Sequence, residues 1–291
     1  MRTWPGRARS WTSRPPRAEP VVVSGHGAAP PAHVLRRLAS AVGPPGSTRR
    51  LGELAWMVTS GGRALVAKVG AGVLDEADGL RRLGAVPGGP PVPEVVLSEP
   101  GLLVTTAVDR VSRTSGHEEM LGRALAALHR APLRGWGGGS SWIGTCPVDP
   151  SPSPDGATFY GARLRALSVR CGLEDTVTAV ASRLVELLPP GGPALVHGDL
   201  WWGNVLFGSD GRSWLIDPSV HGGHPEEDLA MLALFGPVPE RLVRAYDEVH
   251  PLSSGWRDRV ALFQLYPLLV HAVLFGAGYR AQAEAVARRF T

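Results

Sequence analysis

The chain has 291 residues, of which 44% are hydrophobic and 19% charged; these values allow one large or two ordinary globular domains and exclude a disordered chain. It carries 30 basic and 26 acidic residues, for a formal net charge of +4. Residues 1–20 hold five arginines and one glutamate, so the excess lies there and the rest of the chain is balanced. Bulk charge therefore predicts neither nucleic-acid binding nor binding to a membrane surface.

Residues 1–20 are rich in arginine and poor in acids, like an organellar transit peptide, but they lack the apolar core of a secretory signal. We expect a basic disordered leader or a misplaced start site. The two cysteines, Cys146 and Cys171, have neither the spacing of a zinc site nor that of a disulfide framework. Their number and spacing favour a reducing, cytoplasmic location.

From residue 21 the pattern becomes globular. It predicts a helix at residues 32–42, strands at 54–59 and 63–69, a helix at 74–83, and strands at 92–97 and 101–108. From residue 109 onward it is mainly helical, beginning with a helix at 120–129, and it has one β-rich element at residues 194–216. We therefore expect an α+β fold with a small β-rich N-lobe (21–108) and a larger helical C-lobe (109–291).

One segment of the helical half, residues 260–279, has no formal charge over a length that could span a bilayer. It contains Gln264, Pro267, His271 and two glycines. Polar and helix-weakening residues of this kind favour a buried helix of a soluble protein.

The β-rich element carries the polar residues that point to chemistry. His197-Gly198-Asp199 is followed by Asn204, five residues after the aspartate, and then, after a predicted hairpin, by Asp217. This is the spacing of a kinase catalytic loop and its metal-binding aspartate. In that interpretation Asp199 orients and deprotonates an acceptor hydroxyl, Asn204 and Asp217 hold Mg²⁺ against the phosphates, and His197 braces the loop.

The amino-terminal half contains a second, independent part of the pattern. Lys68 is the only lysine in the chain and lies in an apolar predicted strand, and Glu76 follows eight residues later on a predicted helix. A kinase needs such a lysine on the nucleotide phosphates and such a glutamate to hold it. The glycine-rich loop is not recognisable, because residues 47–54 contain only Gly52; a phosphate cradle there must use the backbone amides of a non-glycine turn.

With these residues in view, the chain resembles the fructosamine (ketosamine) kinases, which belong with the aminoglycoside and choline phosphotransferases in the protein-kinase-like superfamily. The resemblance covers roughly residues 32–290. It rests on HGDLWWGN at 197–204, IDP at 216–218, GHPEEDLA at 223–230, LGRALAALH at 121–129 and the ending LFQLYPLLVHAVLFGAGY at 262–279.

The resemblance implies a two-lobed kinase-like fold and ATP- and Mg²⁺-dependent phosphorylation of a sugar hydroxyl on a ketoamine, a reaction that repairs glycated amines. It implies that Trp201 lines the acceptor pocket and that Asp228 anchors the catalytic loop. Lys68, Glu76, Gly52, Thr105 and Ala107 would contact the nucleotide. The protein is expected to be a monomer with no nucleic-acid or membrane partner.

The chain departs from the family pattern on the acceptor side. Cys146-Pro147-Val148-Asp149 replaces a segment that usually carries Gln and Asn, Trp202 replaces a small residue, and His221 stands where an aromatic residue is common. Three alternatives therefore stay open: a phosphotransferase for an aminoglycoside, amino alcohol or other metabolite; a catalytically silent kinase-like binding protein; and a nucleic-acid-binding arginine tail. A strongly acidic cleft around Asp199 would favour an aminoglycoside as the acceptor.

Overall fold

The computed structural model describes residues 29–291, and the predicted leader at residues 1–20 lies outside them. The amino-terminal elements are α1 (Ala32–Val42), β1 (Pro45–Arg50), β2 (Ala55–Ser60), β3 (Arg63–Val69), α2 (Val73–Gly84), β4 (Val95–Glu99) and β5 (Leu102–Thr106). The five strands form one antiparallel sheet in the order β1-β2-β3-β5-β4. Both predicted helices and all four predicted strands are confirmed, with shifts at their ends.

In the amino-terminal part, strand β1 is the element that the sequence pattern did not predict. Its sequence, PGSTRR, has no apolar alternation, and its side chains are exposed or half-exposed. It forms because its backbone pairs with β2, with Thr48 opposite Val58 and Arg50 opposite Trp56. The sheet therefore gains an edge strand whose order comes from backbone hydrogen bonds rather than from side-chain burial.

The carboxy-terminal part is mainly helical. Its elements are α3 (Ser115–Arg130), β6 (Trp142–Ile143), β7 (Cys146–Pro147), α4 (Gly156–Cys171), α5 (Glu174–Ser182), α6 (Leu184–Leu187), β8 (Ala194–Val196), β9 (Val205–Phe207), β10 (Ser213–Leu215), β11 (His221–Gly223), α7 (Pro225–Leu232), α8 (Glu240–Asp247), α9 (Trp256–Phe275) and α10 (Ala277–Ala287). Helix α3 begins five residues earlier than predicted, because Thr114 caps it through a hydrogen bond from the His117 N–H.

Three two-stranded ladders interrupt the helices, and two of them position the polar loop of residues 197–204. Strand β8 pairs with β11, and β9 pairs with β10, all antiparallel. The loop therefore leaves one ladder and enters the other, so both of its ends are fixed by backbone hydrogen bonds. Leu195, Val205 and Leu215 anchor these ladders in an apolar core shared with α3 and α8.

Within residues 29–291, helix α9 is long and apolar enough to cross a bilayer. In its most apolar stretch of 18 residues, 44% are buried within the protein. Phe263, Leu265 and Leu269 lie in a core cluster with residues of α4, α5 and α10. Pro267 lies inside the helix, and its carbonyl oxygen accepts a hydrogen bond from His271 Nδ1. The packing agrees with the prediction of a buried helix.

Candidate active site

Lys68 joins the sheet to the helical half. It lies on β3 between Ala55 of β2 and Leu103 of β5. Its Nζ donates to both carboxylate oxygens of Glu76, each at 2.9 Å, and to Oδ1 of Asp217 at 2.6 Å. Burial opposes the ammonium charge, but Asp217 and Glu76 together hold the pKa of Lys68 above its usual value. The structure thus brings together three residues that the sequence separates by up to 149 positions.

In the same ion-pair group the carboxylates of Glu76 and Asp217 both lie beside the single ammonium of Lys68. This arrangement changes the pKa of Glu76. Burial first, and then the neighbouring Asp217, raise the pKa of Glu76 to about 7, although Lys68 opposes the shift. One ammonium does not fully compensate two neighbouring carboxylates. The arrangement therefore favours a further positive charge at this point, which a divalent cation beside Asp217 would supply.

Asp217 has a backbone conformation that side chains seldom adopt. Its φ of 57° is in the left-handed region, and it is the one non-glycine residue among residues 29–291 with a positive φ. This conformation costs of order 1 kcal/mol and persists only where the surroundings fix it. Here β10 ends just before Asp217, so the turn directs its carboxylate toward Lys68.

Asp199 and Asn204 lie close together in the loop between β8 and β9. The Asn204 Nδ2 donates to the Asp199 carbonyl oxygen at 2.9 Å and to Asp199 Oδ2 at 3.2 Å. A short 3₁₀ turn at Trp202–Asn204 brings this side chain back over the loop. Burial and the nearby Asp217 raise the pKa of Asp199 to about 7, against the hydrogen bond from Asn204.

Asp228 of α7 holds the start of this loop. Its side chain is buried, and it accepts hydrogen bonds from the backbone N–H of His197 at 2.8 Å and of Gly198 at 3.0 Å, and from His129 Nε2 at 3.1 Å. Although burial opposes it, the hydrogen bond from His129 lowers the pKa of Asp228. The carboxylate is therefore charged and fully paired, which suits a bracing role.

His197 and Gly198 complete the brace. The His197 Nε2 lies 3.0 Å from the carbonyl oxygen of Ile216, so the ring links the loop to the residue before Asp217. Burial lowers the pKa of His197, which leaves the ring neutral. Gly198 has φ of 79°, and a Cβ there would come within 2.1 Å of the Ser219 carbonyl oxygen. No residue with a side chain fits this position without moving the backbone of the β11 side.

Helix α7 presents Asp228, and His224 caps that helix. The His224 Nδ1 accepts the Glu226 N–H at 3.2 Å, and the ring stacks on Phe263 with centroids 5.0 Å apart. Burial is the main cause that lowers the pKa of His224 to about 4. Glu227 opposes this shift, whereas Arg259, His129 and His250 reinforce it.

We expect acid to destabilise the protein through His224. Its pKa is lower in the folded chain than in the unfolded chain, so its contribution is complete above pH 6.5 and is lost as the pH falls toward 4. The loss should reach about 2 kcal/mol by pH 5. Urea unfolding at pH 7 and pH 5 should show that His224→Asn, which keeps a capping acceptor, reduces this pH dependence. The exposed control His33→Asn should leave it unchanged; equal pH dependence in all three proteins would contradict the prediction.

Most of the predicted site residues line one cleft between the sheet and the helical half. This cleft of about 440 Å³ is lined by seven of them: Gly52, Lys68, Glu76, Asp199, Trp201, Asn204 and Asp217. Thr105 and Ala107, at the end of β5, are not among its lining residues. The Ala107 N–H already donates to the Ala64 carbonyl oxygen at 3.0 Å, so this N–H is not free to bind a ligand.

The turn between β1 and β2 differs from the amide cradle that the sequence suggested. The N–H groups of Leu51 and Gly52 both donate to the Ala55 carbonyl oxygen, at 2.9 and 3.3 Å, so they are not free for a phosphate. Arg50, which the sequence analysis did not single out, donates to the carbonyl oxygens of Gly52 and Glu53 at 2.8 and 3.0 Å. Its guanidinium stiffens a turn that has one glycine.

A second cavity, of about 200 Å³, opens on the other side of Asp199. Most of its lining is apolar or aromatic: Ile143, Trp201, Met231, Phe263, Tyr266, Pro267, Val270, His271, Leu274 and Phe275. The acidic lining residues besides Asp199 are Glu227 and Asp228, and both are paired: Glu227 with Arg163 and the His224 N–H, and Asp228 with His129. The cavity is therefore not the strongly acidic cleft that a polycationic acceptor requires.

The departures from the family pattern lie around this cavity rather than inside it. Trp202 packs against Arg113, whose guanidinium lies 4.0 Å from the ring centroid. His221 accepts a hydrogen bond from Arg163 at 2.6 Å and lies on β11, the partner of the strand β8 that precedes the loop of residues 197–204. Cys146 is buried in strand β7, which pairs with β6. Each has a packing or bracing position, and Ile143 and Gly144 of the same hairpin reach the cavity.

A family model described as fructosamine kinase matches residues 75–290. The chain belongs to the fructosamine kinase family. A "probable ketoamine kinase" of Lactiplantibacillus plantarum is 34% identical over 219 residues, which cover 70% of this chain and 76% of that protein. The family and the two-lobed kinase-like fold predicted from the sequence are thereby confirmed.

Solved structures agree with this membership. A protein of Thermobifida fusca YX-ER1 described as a "putative fructosamine-3-kinase" superposes with a TM-score of 0.79 at 37% identity, over 88% of this chain and 97% of its own. A thermostable mutant of aminoglycoside phosphotransferase APH(4)-Ia superposes with a TM-score of 0.60 at 20% identity, over 88% of this chain and 99% of its own, and so shares the fold. The matched segment spans 35% of the Enterococcus faecium relative and 59% of the Synechocystis relative.

Proposed function

We propose that this protein transfers the terminal phosphoryl group of ATP to a hydroxyl of a ketoamine, a sugar joined to an amine. The observation that carries the proposal is the meeting of Lys68, Glu76, Asp199, Asn204 and Asp217 in one cleft next to a separate cavity of sugar size. Phosphoryl transfer needs alignment and charge neutralisation more than covalent chemistry, and these residue types supply both.

Asp199 is the group we assign to the acceptor hydroxyl. It lines both the cleft and the cavity, so a hydroxyl in the cavity would face a phosphate in the cleft across this one carboxylate. Its raised pKa makes it a better proton acceptor than an exposed aspartate would be. The Asn204 amide fixes the direction of the carboxylate.

Lys68 and Glu76 form the nucleotide side of the proposal. The ammonium of Lys68 is held between two elements, the sheet and α2, and would meet the nucleotide phosphates at the cleft wall. A guanidinium would be wider and could not be held by one carboxylate from each side in the same way. This accounts for the single lysine in a chain that otherwise uses arginine.

Asn204 and Asp217 are the residues that would hold Mg²⁺. Both offer hard oxygen ligands, which this cation prefers, and phosphate oxygens and water complete its usual shell. The uncompensated negative charge around Glu76 and Asp217 fits an added cation. Bound there, the ion would neutralise charge on the transferred phosphoryl group.

A panel of acceptors tests the proposed function directly. With Mg-ATP, we expect phosphorylation of fructosamines and ribulosamines made from small amines, and little or no phosphorylation of aminoglycosides, because the acceptor cavity has no free acidic group besides Asp199. The product is identified by ³¹P NMR and mass spectrometry. Turnover of another alcohol with no phosphorylated ketoamine would contradict the substrate assignment.

The relatives support the choice of ketoamines over other acceptors. Proteins named protein-ribulosamine 3-kinase, from Oryza sativa and Arabidopsis thaliana, are 34% and 31% identical to this chain over 187 and 186 residues. The lining of the acceptor cavity adds a physical reason, since aromatic and apolar surfaces pack well on sugar rings and alkyl chains. Deglycation of amines in the cytoplasm is the biological role that follows from this proposal.

A further inference from the structure

The β6–β7 hairpin and the loop before it lie between the cleft and the acceptor cavity. We use the term acceptor hairpin for residues 138–147. Its Trp142 lines the cleft, its Ile143 lines the cavity, and its Gly144 lines both. A displacement of this segment therefore changes both spaces at once, and the contacts that hold it in place bear on both sides of the site.

On one side the acceptor hairpin is bound to the segment that follows Asp217. The Ser219 Oγ donates a hydrogen bond to the Trp142 carbonyl oxygen at 2.9 Å. The Ser140 N–H donates to the Val220 carbonyl oxygen at 2.8 Å. The hairpin is therefore held next to the turn that carries Asp217, through hydrogen bonds to its own backbone.

On its other side the acceptor hairpin is bound to helix α2. Asp75 Oδ2 accepts hydrogen bonds from both the N–H and the Oγ of Ser141, each at 2.7 Å. Arg82 of the same helix donates to the Gly138 carbonyl oxygen at 3.0 Å, at a more exposed position. Hydrogen bonds to a carboxylate are stronger than those between neutral groups, and Asp75 and Ser141 are both half-buried. Asp75 is therefore the better shielded of the two ties between the hairpin and α2.

Helix α2 depends on this tie because the start of the helix has no side-chain cap. The residue before it is Gly72, which has no side chain to accept a hydrogen bond from the first turn. Such a helix end frays unless a partner outside the helix fixes it. Asp75 and Glu76 both lie in this first turn, and Glu76 holds the Lys68 ammonium through both of its carboxylate oxygens. The contact that fixes Asp75 therefore also fixes the partner of Lys68.

We propose that Asp75 is a positioning residue that transmits the position of the acceptor hairpin to Lys68. The contacts run from Ser141 to Asp75, along the first turn of α2 to Glu76, and from Glu76 to the Lys68 ammonium. A molecule in the acceptor cavity that orders the hairpin thereby also orders the lysine at the nucleotide phosphates. The inference rests on the proposed function for what occupies the two spaces, but the link itself is testable without either ligand.

The single lysine makes the link measurable in the free protein. Labelling with ¹⁵N-lysine gives NMR signals from the backbone amide and the ammonium of Lys68 alone. We expect Ser141→Ala, which changes no charge, to shift these signals by more than their line width. In the Asp75→Ala background the same substitution should cause no further shift, because the partner of the hydroxyl is then gone. The matched control background is Asp78→Ala, which removes an exposed carboxylate of the same helix; there Ser141→Ala should shift the signals as in the wild type.

Two NMR results would overturn the inference. One is a set of Lys68 signals that is the same in the wild type and in Ser141→Ala. The other is an equal shift caused by Ser141→Ala in the wild type and in Asp75→Ala, since the hydroxyl would then act by another route. Asp75 and Ser141 are half-buried, so water can replace the lost hydrogen bonds and we expect the variants to fold.

Turnover separates this inference from the proposed function. With Mg-ATP and fructosyl-glycine as the acceptor, Asp75→Ala should lower kcat about tenfold, because a displaced Lys68 aligns the phosphates less well. Asp78→Ala should leave kcat unchanged. A wild-type kcat in Asp75→Ala contradicts the inference. A wild type that phosphorylates no ketoamine contradicts the proposed function, whereas the Lys68 signals still decide whether Asp75 links the hairpin to the lysine.

Discussion

Replacing Asp199 with Asn is expected to lower kcat for the phosphoryl acceptor by about a thousandfold, the middle of the range for loss of a general base. The amide keeps the size of the side chain but accepts no proton. Because Asn204 holds the Asp199 side chain, whereas Glu76 and Asp217 hold the Lys68 ammonium, KM for ATP should change little. Steady-state kinetics with purified protein, read by coupled ADP release, give both constants.

The same substitution should not destabilise the fold. Burial and neighbouring carboxylates raise the pKa of Asp199, so its negative charge is unfavourable in the folded chain. Replacing it with a neutral amide removes this unfavourable charge. The melting temperature should stay at the wild-type value or rise. The exposed aspartate of α2, changed as Asp78→Asn, controls for loss of a carboxylate near the cleft, and a variant of Asp199 that keeps wild-type kcat would refute its role as base.

Replacing Asp228 with Asn is expected to have the largest effect on stability, of about 4 kcal/mol, at the upper end for breaking a buried hydrogen-bond network. The carboxylate accepts three hydrogen bonds from donors on His197, Gly198 and His129. An amide has only one acceptor oxygen, so its NH₂ group must face at least one of these donors. A buried donor is then left unsatisfied, and the loop that carries Asp199 loses its anchor.

Urea unfolding and differential scanning calorimetry measure this loss, and we expect the melting temperature to fall by about 10 °C for a chain of this size. Asp175→Asn, at an exposed position of α5, is the matched control and should change the free energy of unfolding by less than about 0.5 kcal/mol. At a temperature where the Asp228 variant remains folded, kcat should also fall. A free energy of unfolding within 1 kcal/mol of wild type would contradict the bracing role.

The pKa values of Asp199 and Asp228 shift in opposite directions, and this difference distinguishes a candidate reacting group from a structural one. Asp228 is fully paired, and its pKa is lowered despite complete burial. Asp199 is half-buried and has one weak side-chain partner, Asn204, and its pKa is raised. Residues that stabilise the fold have their hydrogen-bond partners within the free protein, whereas residues that act on a substrate often have a shifted pKa and few protein partners. The first should cost stability when changed and the second should cost activity.

Both helices and four of the five strands of the amino-terminal part, the family and the candidate polar residues could be predicted from the sequence. Lys68 is conspicuous in the sequence because it is the only lysine. The spacing of His197, Asp199, Asn204 and Asp217 reflects one loop and one hairpin, so it is visible within a short stretch of sequence. Helices and central strands were predictable because their apolar periodicity records the side that each buries. These are local signals, and a linear sequence carries them.

Features that depend on contacts between distant segments could not be predicted from the sequence. Strand β1 has no apolar pattern and exists because β2 lies beside it. Arg50 and His129 act on the turn at residues 51–54 and on Asp228 through contacts that no spacing rule indicates. The cavity beside Asp199 joins residues from separate segments, among them Ile143, Trp201 and Phe275, so its apolar lining appears only after folding. Charge neutralisation and packing at a site are sums over neighbours in space, and the sequence alone does not specify which neighbours those are.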